Sequence, residues 1–98
     1  MMARIRSLTL DVLKPHEPTI VDLAARLANL EGISDVNIAV LEVDANTETI
    51  KVSIVGEAVD FETVRTAIEG FGATIHSIDQ VSAGKQATPW PSTGGEER

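Results

Sequence analysis

The stretch DVLKPHEP, Asp11 to Pro18, packs a lysine, a histidine, two acids and two prolines into eight residues. A second histidine, His76, stands in HSID beside Ser77 and Asp79, and Glu42 and Asp44 flank a turn-forming stretch. Imidazole and carboxylate are ligand types that hold a divalent cation. His16, Glu42, Asp44 and His76 are therefore candidate metal ligands. Asp11, Lys14, His16, Lys51, His76 and Asp79 are the candidates for binding a small ligand. A structural account competes for the same residues. Pro15 and Pro18 stiffen a corner, Glu17 suits a helix N-terminus through the macrodipole, and His16 bonds backbone.

Other chemistries find less support. The chain has no cysteine, so thiolate metal sites, disulfides and a cysteine nucleophile are excluded. No GxSxG, P-loop or HExxH pattern occurs. Ser77 adjoins His76, but neighbours on a regular strand point to opposite faces, which keeps them from pairing as nucleophile and base. The KPHEP corner has no glycine, so it is a poor phosphate cradle of the Gly-rich kind. Net charge is −7, and residues 1–84 carry all of it, with six Lys/Arg against thirteen Asp/Glu. A domain of that sign repels phosphate backbones and favours cations or basic partners, so nucleic acid is not an expected partner. No apolar run reaches the roughly 18 residues of a membrane span. Asp11 interrupts the apolar start, which leaves no signal peptide and points to a cytoplasmic protein.

The elements that must position these groups follow from hydrophobic period. Arg4 to Lys14 alternates, with Leu8, Leu10 and Val12 on one side and Ser7, Thr9 and Asp11 on the other, as in a half-buried strand. Ile20, Leu23, Ala24, Leu27 and Leu30 recur at helical spacing, with Pro18 in the first turn and Gly32 as the stop. Val36–Val43 and the alternating Ile50, Val52 and Ile54 read as a hairpin around DANTE. Asp60 caps a second helix buried through Phe61, Val64, Ile68 and Phe71, and Thr74–Gly84 makes a fourth strand. The order β-α-β-β-α-β predicts an α+β, ferredoxin-like sandwich over residues 1–84. It has a four-stranded antiparallel sheet of order 4-1-3-2 and both helices on one face. In this topology His76 is expected near the β1–α1 corner. Residues 85–98, with Trp90 between two prolines, lack an apolar period and are expected to be a mobile tail.

LDVLKPHEP, GISDVNIAVLEVDANTETIKVSIVG and GATIHSIDQVSAGK closely resemble an uncharacterised archaeal family, domain of unknown function 211. The resemblance covers about residues 5–85 and implies the ferredoxin-like fold and closed homo-oligomeric rings. It implies no established reaction. Self-association also follows from the residues themselves. The hairpin's first strand is an edge, yet Val36, Ile38 and Val40 fill one face while Ala39, Leu41 and Val43 fill the other, and such an edge demands cover. Ala39, Leu41 and Val43 are the candidate interface. RNA-recognition domains of this topology carry aromatics on the open sheet face, where this chain has Ser, Thr, Asp and Lys. The expectation is a non-enzymatic homo-oligomer without a resident cofactor, acting as a scaffold or a module responsive to a small ligand or divalent cation. The alternative is an enzyme or carrier whose site forms between subunits near His16 and His76.

Overall fold

The computed structural model describes residues 3–85. The elements are β1 (Arg4–Pro15), α1 (Ile20–Ala28), β2 (Ile33–Val43), β3 (Thr47–Gly56), α2 (Phe61–Gly70) and β4 (Thr74–Gly84). They form one antiparallel sheet of order β2-β3-β1-β4. This is the α+β, ferredoxin-like arrangement expected from the element order. The tail with Trp90 lies outside the described residues.

Period-two alternation builds the core. Leu8, Leu10 and Val12 of β1 pair with Ile54, Val52 and Ile50 of β3, and all six are buried. Leu23 and Leu27 from α1 and Val64, Ala67 and Ile68 from α2 complete the same cluster. Both helices therefore cover one face of the sheet. Truncating any fully buried Leu or Ile here to Ala would cost about 2–5 kcal/mol.

The two helices are capped differently. Asp60 caps α2 by accepting from the Thr63 amide at 3.2 Å. At α1 the cap is Thr19, not a first-turn Pro18. Thr19 and Asp22 satisfy each other's backbone amides in a capping box. Pro18 stands before the helix, at the end of the corner. Gly32, expected as the stop after α1, has φ +88°. It is also pressed against the chain ahead of α2: a Cβ there would lie 2.2 Å from the Ala58 carbonyl oxygen. Its partner in this close approach is Gly56, where a Cβ would lie 1.9 Å from the Gly32 oxygen.

Regular alternation fails on both edge strands. On β2, Val40 pairs with Ile50 but Glu42 with Thr49, so Leu41 is an extra residue. On β4, register shifts leave His76 and Asp79 without direct partners on β1. A bulge of this kind re-aims every side chain beyond it.

Candidate functional site

Lys14 organises the opening stretch. It continues the inward row Leu8, Leu10, Val12 and is wholly buried. An ammonium in that position needs oxygen on every side. The chain supplies it by folding the corner back over the lysine: Nζ donates to the carbonyls of Pro15 at 2.8 Å, His16 at 3.2 Å and Pro18 at 2.5 Å. The Glu48 carboxylate on β3, its direct cross-strand partner, adds Oε2 at 3.1 Å. Pro15 and Pro18 lack N–H groups, so the corner offers carbonyls inward and spends few donors. Lys14 is consumed inside the fold.

Glu48 also holds His16. Its Oε1 lies 3.1 Å from Nδ1, while Nε2 lies 2.9 Å from the Asp44 carbonyl and 3.2 Å from that of Ala45. The hydrogen bond from His16, followed by the one from Lys14, holds the Glu48 carboxyl below its usual range. The same hydrogen bond to Glu48 raises the His16 imidazole above its ordinary value, helped by the turn carbonyls and opposed by desolvation. His16 bonds backbone, as the structural account of KPHEP expects, and carboxylate as well. The corner is thereby tied to the β2–β3 turn, which Asp44 closes by donating its amide to the Thr47 carbonyl at 2.8 Å.

His76 is elsewhere. It lies on β4, beyond β1 from the hairpin, and its Nδ1 is 3.9 Å from Asp11 Oδ2. Asp11 pairs with Lys51 and Ser77 in the sheet, on the face away from the helices, whereas Glu48 shares the helix-facing row with Lys14. The two histidines thus serve opposite faces and different strands. Of the four candidate metal ligands, Asp44 approaches His16 only through its backbone carbonyl, and Glu42 pairs with Thr49 on the open face. Among the described residues no three His, Asp or Glu side chains form a metal-holding group.

The open face gathers the remaining small-ligand candidates. Lys51 reaches Asp79, Nζ to Oδ2 at 3.9 Å, across the intervening strand β1. Ser77 donates to Asp79 Oδ1 at 2.7 Å. Asp11 Oδ1 is buried without a hydrogen-bond partner. Because of the bulge, His76 faces Asp11 on the side that Ser77 also occupies, so strict alternation does not separate those two residues as expected. What separates them chemically is partner choice: the hydroxyl serves Asp79 rather than the imidazole.

The interface candidates are rearranged by the other bulge. Ala39 pairs with Lys51 on the open face, and Leu41 is the unpaired bulge residue, 55% exposed. Val43 pairs with Glu48 and so shares the helix-facing side with Val40 rather than the face of Ala39. Val40, Leu41 and Val43 are nevertheless all exposed. On the opposite edge Ile78 and Val81 pair with Leu10 and Leu8 yet remain about half exposed, at 51% and 53%. The helices are too few and too short to cover the sheet's flanks.

Residues 6–94 match the model of the DUF211 family, described as uncharacterised ArCR. The chain belongs to that family. It is also 52% identical over 85 residues to an uncharacterised protein of Methanocaldococcus jannaschii, a match covering 87% of this chain and 88% of the relative. Family membership thus embraces the Lys14–Glu48–His16 corner, both edge strands and the open face. It attaches no reaction to any of them. No helix among the described residues is long and apolar enough to cross a membrane.

Proposed function

We propose that this DUF211 protein is a non-enzymatic, cytoplasmic scaffold or regulatory module that works as a closed ring of identical subunits. The observation carrying this reading is the β2 edge. Val40, Leu41 and Val43 are 43%, 55% and 64% exposed on a strand with one protein neighbour among the described residues. Leaving apolar surface in water costs about 25 cal/mol per Å², and an unpaired apolar edge is a template for another chain. The β4 edge offers Ile78 and Val81 on its own exposed flank. An edge-to-edge contact of β2 with β4 of the next copy is heterologous, and such contacts close into rings when the rotation per subunit permits. Native mass spectrometry of protein purified without chelator tests this directly. A single closed stoichiometry above two supports the ring; a monomer at micromolar concentration refutes it.

A second reading has its own observation. The buried, unpartnered Asp11 Oδ1, beside Lys51, His76 and Asp79, favours a small donor-bearing ligand or a cation on the open sheet face. In a ring that face would be shared or shielded by neighbours, which is the setting for a carrier or an enzyme site between subunits. Thermal stabilisation by a panel of divalent cations and small amines, lost in Asp11→Asn, is the expected signature. Unchanged melting across the panel would remove this reading and leave the scaffold.

A further inference from the structure

The His16 ring is held between groups that only accept. Nδ1 faces Glu48 Oε1 at 3.1 Å, and Nε2 faces the Asp44 carbonyl at 2.9 Å and the Ala45 carbonyl at 3.2 Å. A neutral imidazole has one N–H and one lone pair, so it would satisfy one side and set a lone pair against oxygen on the other. The imidazolium donates to both. We propose that His16 is a protonation-gated latch: as the cation it ties the β2–β3 turn to the β1–α1 corner, and on losing its proton it releases the turn and the adjoining end of β2.

The charges around the ring set the balance. From β3, Glu48 stabilises the imidazolium directly. From β1, Lys14 opposes it, since its ammonium claims the other oxygen of the same carboxylate at 3.1 Å. That opposition is blunted because three backbone carbonyls also surround Nζ. From the turn, the Asp44 and Ala45 carbonyls favour the cation, and the raised His16 pKa has the same direction. The ring is partly exposed, its side chain at 39%, so protons reach it without unfolding. Lys14 keeps the corner itself in place in either state. Strand pairing of Lys14 with Glu48 and of Pro15 with Thr47 holds β3 to the corner in either state, so the mobile partner is the turn ahead of Thr47, which among the named bonds His16 alone ties to the corner. Val43 immediately precedes that turn, so the latch also governs the order of the exposed end of β2. If β2 is a subunit edge, the assembly becomes pH-responsive, a consequence that rests on the ring reading above.

The test is nitrogen NMR of the His16 ring together with amide hydrogen exchange of residues 44–47, from about pH 5 to about pH 9. Both are run on wild type and on Leu41→Lys, so the outcome does not depend on assembly. The latch predicts that both ring nitrogens are protonated at low pH and that His16 titrates above an ordinary histidine. Turn protection should fall, beyond the intrinsic rise in exchange, over the same interval. Glu48→Gln should move both transitions to lower pH together, and His16→Gln should abolish the exchange transition while far-UV circular dichroism stays native. A single-tautomer neutral ring at about pH 6 would overturn the proposal, as would turn exchange that ignores His16 titration or persists unchanged in His16→Gln.

Discussion

The β1–α1 corner and the β2 edge meet at the β2–β3 turn, yet the chain treats them in opposite ways. At the corner it buries a full positive charge and meets it with a carboxylate and three carbonyls, all drawn from within one subunit. At the edge it leaves three branched apolar side chains substantially in water and one row of backbone groups without a strand partner among the described residues. The corner is complete as a monomer. The edge would be completed by the neighbouring strand that the proposed ring supplies. Chemistry-bearing residues can thus be structural, while the proposed function rests on a plain run of Val, Ala and Leu.

The sharpest way to break this contrast is to empty the corner. Lys14→Met keeps volume but leaves Glu48 and three carbonyls short of their main donor. Breaking a buried charge pair in this way costs about 3–5 kcal/mol, and the remaining His16 bond to Glu48 places the expectation near about 3 kcal/mol. Urea unfolding should show it as a lowered midpoint with an unchanged slope. A loss below about 1 kcal/mol would mean that Lys14 does not organise KPHEP.

A smaller effect is expected from Glu48→Gln, about 1–3 kcal/mol, since the amide still offers one acceptor. The pH dependence follows from the two opposed shifts. His16, raised by Glu48, contributes stability that is complete below its ordinary value near 6.5 and is lost as pH rises through the folded value. Glu48, lowered by His16 and Lys14, contributes above its ordinary value near 4.5 and loses that contribution as pH falls through its folded value. Stability from this corner should therefore be greatest in the mildly acidic range between them. Denaturant midpoints measured across pH should decline on both flanks, and the decline on the alkaline flank should vanish in His16→Gln.

Asp79→Asn on the open face should do least to folding, within about 0–1 kcal/mol, because the Lys51–Asp79 pair is exposed and long. A larger loss would show that the open face is a stabilising network, and the two regions would no longer divide so cleanly into complete and incomplete.

The sequence carried the element order, the sheet order and the core, because Leu8-Leu10-Val12 and Ile50-Val52-Ile54 keep strict period two. It also carried the edge position of β2 and its apolar excess. The burial of Lys14 went unread: it stood among the small-ligand candidates, although the alternation that runs through Leu8, Leu10 and Val12 puts it at the next inward position. The Thr19 cap has a signal, T-x-x-D ahead of an apolar helical run, one residue past the Pro18 expected in the first turn. The bulges were not legible. Nothing in VNIAVLEV says that Leu41 is the extra residue, or in TIHSIDQV that His76 and Asp79 fall out of register, because bulges arise from pairing and twist rather than from local propensity. Those slips moved Val43 to the helix-facing side and placed His76 over Asp11 on the open face. Sites that depend on side-chain direction at a sheet edge are the ones that pattern reading loses.

Sedimentation velocity of wild type and Leu41→Lys at matched micromolar concentration decides whether β2 is a contact between copies. Leu41 has no cross-strand partner, so the lysine should change folding stability by no more than about 0.5 kcal/mol. It nevertheless puts a charge into the proposed contact between copies. A ring closed through β2 gives a single large species for wild type, and smaller species with native far-UV circular dichroism for the variant. A monomeric wild type, or a Leu41→Lys protein that keeps the full assembly, would contradict it.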